Sequence, residues 1–342
     1  MGTAYQALFG KLWAVKNHGR FILRIEDTDR ERSRPRHEAA IMDCLKWLGL
    51  DWDEGPDVGG PVGPYRQSER LATYKKYVDM LVEMGHAYPC FCTRERLEAA
   101  RREQEAGGDS NRSYDRKCRE IPPGEASDRV RRGETHVVRM KAPLEGECVF
   151  TDLLRGEIRK DWASIDDQVI LKSDGFPTYH LAVVVDDHLM EITHIIRGEE
   201  WINSVPKHVL LFEMLGWTPP AFCHLPLLRN PDRSKLSKRK NPTSIQYYRR
   251  AGFLPEALLN YLGMMGWSMP GGEEKFTFQE MLPGFDLTQI RLGGPVFDLD
   301  KLRWLNGRYI REDYTPGRLL SVLSRWALND GYIEKVIGVV GD

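Results

Sequence analysis

The apolar period of this chain changes near residue 86 and changes back near residue 175, so one uninterrupted layer of structure cannot account for it. Residues 4–18 have helical apolar spacing, and 20–25 (RFILRI) alternate as a strand does. The polar cluster EDTDRERS then reads as a turn feeding a helix from about Arg36 to Leu48. The Gly- and Pro-rich EGPDVGGPVGP is a loop, and a further helix is expected over 68–84. From 86 to 175 the runs shorten to HVVRM, ECVF and VILK, separated by the helical ERLEAARREQEA and the turn-rich GGDSNRS, which predicts an inserted α+β domain. Alternation returns in PTYHLAVVVDD and the strand-like MEITHIIR, followed by a helix in EEWINSVPKHVLLFEMLGW and a strand in HLPLLRN. Past 245 the pattern is mainly helical and ends in what reads as the opening of a helical pair. This order predicts an α/β fold: a parallel sheet split by an inserted α+β domain, then a mainly helical region.

Composition narrows the class. With 342 residues, 41% apolar and 29% charged, the chain can fill two or more packed domains. No N-terminal basic stretch precedes an apolar run and no window of about 18 uncharged apolar residues occurs, so a soluble protein with the cytoplasm as its default compartment is expected. Six cysteines (44, 90, 92, 118, 148 and 223) are too sparse for a disulfide framework; Cys90, Cys92 and Cys118 form a metal-capable cluster, and the rest read as buried thiols. The net charge of -1 hides a local excess: between Arg229 and Arg250, eight Lys or Arg residues face the single acid Asp232.

Within that stretch, Lys235-Leu236-Ser237-Lys238-Arg239 follows an expected strand in a flexible loop. Two lysines and an arginine so close repel one another unless an anion joins them, and a polyphosphate suits. The bland alternative is a solvated loop face. The acidic cluster around Glu26 and Asp29 has a local alternative too, as an N-capping stretch for the next helix.

KLSKR resembles the KMSKS signature of class I aminoacyl-tRNA synthetases, and five ordered blocks resemble the glutamyl enzymes: RFILRIEDTDRERS, SDGFPTYHLAVVVDDHLMEITHIIRGEEWINS, HLPLLRNPDRSKLSKR, FLPEALLNYLGMMGWS and FDLDKLRWLNGRYI. The resemblance implies a glutamate–tRNA ligase with a Rossmann-like sheet, using ATP with Mg2+ to form glutamyl-adenylate and transferring the glutamyl group to the terminal adenosine of tRNA(Glu). By resemblance Glu26 receives the substrate's amino group, while Tyr179, Arg197 and Trp201 line the glutamate pocket. Asp29, Glu200, Leu228, Lys235, Leu236, Ser237, Lys238 and Arg239 serve ATP, with Lys235 and Lys238 acting in catalysis. Cys90, Cys92, Tyr114 and Cys118 resemble the zinc-binding insertion of some glutamyl synthetases and their glutamyl-queuosine relatives. The family elsewhere has a histidine two residues past the last cysteine; here Glu120 stands there, leaving Tyr114 or Glu120 as the fourth ligand of a structural zinc.

The implied domains are 1–68 and 178–230 (catalytic halves), 69–177 (acceptor-binding insertion), 231–314 (KLSKR loop and stem contact) and 315–342 (start of an anticodon-binding region). Met1-Gly2-Thr3-Ala4-Tyr5 resembles the end of the HIGH signature. The expectation is therefore a fragment cut at both ends and nearly inert in charging tRNA, and a monomer by family habit. Two other readings compete: a glutamyl-queuosine tRNA(Asp) modifier, disfavoured by the long segments after KLSKR, and a non-catalytic tRNA-binding remnant.

Overall fold

The computed structural model describes residues 1–108, 113–236 and 242–328. Helices α1 (Gly2–Lys16), α2 (Pro35–Trp47) and α3 (Leu71–Glu83) come first. Strand β1 (Ala87–Cys90) leads through α4 (Arg94–Ala106) and α5 (Pro123–Arg131) to β2 (Val137–Met140), β3 (Glu147–Asp152), β4 (Gly156–Asp161) and β5 (Val169–Leu171). Then follow α6 (Tyr179–Leu189), β6 (His194–Gly198), α7 (Val205–Met214) and β7 (Ala221–Leu225). The chain continues with α8 (Ile245–Arg250), α9 (Pro255–Met264), α10 (Phe278–Gly284), α11 (Leu299–Asp313) and α12 (Pro316–Ala327). No described helix is long and apolar enough to cross a membrane. The chain forms two compact units: residues 1–21, 39–52 and 225–342, and residues 22–38 and 53–224.

The first unit is built from helices. Tyr5, Leu8, Phe9 and Leu12 recur at helical spacing and are all buried, which is why α1 forms and which face it hides. Phe9 stacks on Phe285 with ring centroids 5.6 Å apart. Helix α9 packs against α1 and α11, and the buried Asn260 ties the layers together. Its Oδ1 accepts from the Tyr309 hydroxyl at 2.9 Å and from the Phe276 amide at 3.0 Å, so a polar side chain sits in the core with its acceptor satisfied.

The second unit holds both sheets. One runs β1-β2-β5 with antiparallel pairing; the other has the order β4-β3-β7-β6. In the latter β3 pairs antiparallel with β4 and parallel with β7, where Asp152 faces Phe222. The sheet is thus mixed rather than wholly parallel, and β3 and β4 come from the stretch read as an insertion. Strand β3 buries Cys148, Phe150 and Asp152 and exposes the residues between them, the strict alternation of a strand with one face on a core. That core is completed by Val205, Leu211 and Phe212 of α7 and by α6, whose residues Leu181 to Val185 are all buried. An apolar run this continuous suits a helix enclosed on every side.

Three expectations need correction. Residues 20–25 make no ladder strand; Ile22 and Ile25 form isolated parallel bridges to Glu54 and Arg66. The strand placed in HLPLLRN starts earlier, at Ala221, and stops at Leu225, because Pro226 has no amide hydrogen to continue it. Strands β1 and β4 lack an apolar alternation that would announce them: β1 contains Pro89, and β4 (GEIRKD) is a charged edge strand. The turn GGDSNRS and the second member of the C-terminal helical pair fall largely outside the described residues.

Candidate active site and cysteine cluster

Strand β6 ends by delivering Arg197 into the second unit's interior, where the side chain is 7% exposed. Its Nε donates to His224 Nε2 at 3.1 Å, Nη1 donates to the Tyr179 hydroxyl at 3.3 Å, and both Nη atoms lie 3.4 Å from His208 Nδ1. Trp201, in the short 3-10 turn after β6, sits with its ring centroid 5.9 Å from the guanidinium carbon and 4.6 Å from the Tyr179 ring. Three of the glutamate-pocket residues expected from the sequence are therefore assembled. Among the described residues, the polar partners of Arg197 are a hydroxyl and two imidazole nitrogens. By contrast the buried Arg70 meets the carboxylate of Asp186 at 2.7 Å.

Behind Arg197 lies a network that sequence reasoning missed. His224 Nδ1 stands 2.7 Å from Asp152 Oδ2, which also accepts from the His224 amide at 3.0 Å, while Asp152 Oδ1 accepts from the amides of Leu154 and Arg155. His208 Nε2 lies 3.0 Å from His180 Nδ1. Burial, together with neighbouring Lys207 and Arg197, pulls His180 down to about 4. Burial first, then Arg197, also lowers His208, far below its ordinary value. His224 is lowered mainly by burial, against the opposing pull of Asp152. For Asp152, burial alone would raise the carboxyl, but the bonds from His224 and Leu154 outweigh it and hold it below the ordinary value.

Glu26 is exposed and is held by Arg24, whose Nη2 reaches Glu26 Oε1 at 3.1 Å and Asp187 Oδ1 at 2.9 Å. Its charge acts on Tyr179, whose hydroxyl is pushed up to about 12 by burial first and by Glu26 second. Next to Asp187, Asp186 is fully buried and accepts from Tyr74 at 2.7 Å, Gln67 at 2.9 Å and Arg70. A pair of acids inside the apolar helix LAVVVDD was the one signal that could have announced this hub. Asp29 closes its own turn, accepting from Arg32 Nε at 3.1 Å and from the Arg32 amide at 3.4 Å, and caps no helix. Glu200 is exposed.

Leu228, Lys235 and Leu236 belong to the first unit. Leu228 is buried and its carbonyl accepts from the Leu236 amide at 2.8 Å. Lys235 is exposed and pairs its backbone with Arg229, and its carbonyl accepts from Asn230 Nδ2 at 3.0 Å. Ser237, Lys238 and Arg239 lie outside the described residues.

The sulfur atoms of Cys90, Cys92 and Cys118 lie within 4.8 Å of one another, with Cys92 and Cys118 3.5 Å apart. The Tyr114 hydroxyl is 3.3 Å from Cys90 Sγ and 3.5 Å from Cys92 Sγ, and accepts from the Cys118 amide at 3.0 Å. Glu120 is exposed and is not part of the group. Hydrogen bonding with Cys118 draws the Cys90 thiol down and drives the Cys118 thiol up. Arg139 stacks over Tyr114 at 3.9 Å, and its hydrogen bond adds to the lowering at Cys90. A tetrahedral zinc with bonds of about 2.3 Å to sulfur separates its thiolates by a little under 4 Å, so the three sulfurs fit.

Residues 1–304 match the family model "tRNA synthetases class I (E and Q), catalytic domain". Glutamate–tRNA ligases from Cellvibrio japonicus and Acinetobacter baumannii are 60% and 57% identical, covering 96% and 99% of the chain. The match takes in 65% and 67% of those relatives, so the chain spans about two thirds of their length. A glutamate-tRNA synthetase structure from Elizabethkingia anophelis superposes with a TM-score of 0.88 at 38% identity, covering 98% of this chain and 74% of that one. A glutamate tRNA ligase from Elizabethkingia meningosepticum, solved in complex with its amino acid, gives 0.85 at 40% identity, covering 91% and 66%. With the family model matching most of its length, the chain belongs to the class I tRNA synthetases of the E and Q group, as an α/β catalytic domain.

Proposed function

We propose that this chain carries the catalytic core of a glutamate–tRNA ligase, activating L-glutamate with ATP and passing it to tRNA(Glu). The supporting observation is Arg197: a buried cation whose partners among the described residues include no carboxylate. An uncompensated buried charge is costly, and a ligand carboxylate is the counter-charge that relieves it. A guanidinium suits a carboxylate, Glu26 suits an ammonium group, and Trp201 with Tyr179 supplies apolar walls. The ligand this set describes is an amino acid with an acidic side chain.

In the proposed reaction a glutamate carboxylate oxygen attacks the α-phosphorus of ATP, bound with Mg2+, and pyrophosphate leaves. The terminal ribose hydroxyl of tRNA then attacks the activated carbonyl, and AMP leaves. No side chain becomes covalently bonded, so the protein's work is positioning and charge stabilisation. Lys235 and Lys238 follow the phosphate charge, with Leu236, Ser237 and Arg239 beside them in sequence; Asp29, Glu200 and Leu228 serve the nucleotide. The Rossmann-like halves 1–68 and 178–230, the acceptor-binding insertion 69–177 and the stem-contact segment 231–314 divide the labour. Cys90, Cys92, Cys118 and Tyr114 would hold one zinc, whose chemistry is structural because four protein donors leave no place for water.

The test is L-glutamate-dependent exchange of pyrophosphate into ATP with tRNA(Glu) present, alongside calorimetric binding of L-glutamate. Binding of L-glutamate in preference to L-glutamine is expected, and in a full-length version Lys238→Ala should lower adenylate formation, read as exchange, at least tenfold at unchanged melting temperature. A chain that binds neither amino acid would overturn the reading.

A further inference from the structure

The pocket's basic residue is unusual in what stands behind it. Arg197 Nε is 3.1 Å from His224 Nε2, and His224 Nδ1 is 2.7 Å from the fully buried Asp152. A neutral imidazole has one bare nitrogen and one N–H. Since Asp152 is a pure acceptor, the proton sits on His224 Nδ1, leaving Nε2 bare to receive the Arg197 Nε–H. The same logic holds on the other side. His208 Nδ1 faces two guanidinium nitrogens, which only donate, so it too is bare, and its Nε2–H points at His180 Nδ1, 3.0 Å away. Both tautomers are dictated by their outer partners, and both rings offer Arg197 a lone pair without a charge.

We propose that His224, seated on Asp152, and His208 are positioning residues for Arg197, fixing the plane of its guanidinium against a substrate carboxylate. The proposal rests on Arg197 being the carboxylate anchor. Neutral acceptors are what such an anchor needs. A carboxylate in their place would neutralise the guanidinium and compete with the substrate, whereas apolar residues would leave buried N–H groups unpaired. Histidine with a fixed tautomer avoids both, in the way that outer partners orient the ligands of a metal.

The experiment measures L-glutamate and ATP affinity by calorimetry for the full chain and its variants. His224→Gln keeps an acceptor near the Nε2 position, and His224→Met fills similar volume without one. His224→Met is expected to weaken L-glutamate at least tenfold while ATP affinity stays within twofold, and His224→Gln to remain within threefold of the unaltered chain. If His224→Met does not fold, judged by circular dichroism, the pair His208→Asn (acceptor near Nδ1 kept) and His208→Leu (acceptor removed) must show the same split. Equal affinities for the members of a pair would overturn the positioning role. Arg197→Lys separates the two levels: if it binds L-glutamate as tightly as the unaltered chain, the pocket reading itself fails. If Arg197→Lys loses binding while His224→Met keeps it, only the positioning role fails.

Discussion

Arg197 donates to the Tyr179 hydroxyl across 3.3 Å, so the end of β6 and the first turn of α6 present one surface. Those residues are separated by a helix and a turn in sequence, and the bond makes the Tyr179 ring and the guanidinium move as a unit. Replacing Tyr179 with Phe removes one hydrogen bond to a charged group, worth about 1–2 kcal/mol. L-Glutamate affinity should fall by about five- to thirtyfold with little change in melting temperature. Calorimetry on Tyr179→Phe decides it, and an unchanged affinity would detach Tyr179 from the pocket.

The histidine network gives the protein a pH signature. His180 is lowered from 6.5 to about 4 by burial, with Lys207 and Arg197 adding to the effect. Between those values the unfolded chain binds a proton that the folded chain refuses, so stability from this group is complete above pH 6.5 and is lost as pH falls toward 4. The full contribution is about 3 kcal/mol, of which about 2 kcal/mol is lost by pH 5. Urea unfolding from pH 7 to 5 should show a shallower decline for His180→Gln than for the unaltered chain. Parallel curves would remove His180 from the account.

Asp186 tests the core of the second unit. It is fully buried and takes hydrogen bonds from Tyr74, Gln67 and Arg70. Asp186→Asn turns an acceptor into a donor facing donors and leaves Arg70 without its counter-charge, which should cost about 3–5 kcal/mol. The urea midpoint should drop accordingly, and a loss below about 1 kcal/mol would show that water or rearrangement satisfies the site.

For the cysteine cluster, elemental analysis of protein grown with zinc should find about one zinc per chain. Cys118→Ser should bring that below about a tenth and lower the melting temperature, because a thiolate is exchanged for a hydroxyl that ionises far less readily. A zinc-free unaltered chain would leave the three thiols as a reduced cluster under Tyr114.

Local pattern determined a good part of this molecule. The periodic runs that make α1, α2 and α4 are written along the chain, as are the proximity of Cys90 to Cys92 and the ordered blocks that carry the family resemblance. Tertiary structure decided the rest, and the reason is separation. Asp152 meets His224 and Tyr74 meets Asp186 across stretches whose intervening residues carry no period to signal the contact. β4 has no apolar face to announce it, and Ile22 and Ile25 lie in an alternating stretch yet make only single bridges. A sequence pattern records which side chains must leave water. Which buried donor finds which buried acceptor is settled only when the packed elements bring them within hydrogen-bond distance, and for Arg197 that pairing turns a strand-end arginine into a candidate carboxylate anchor.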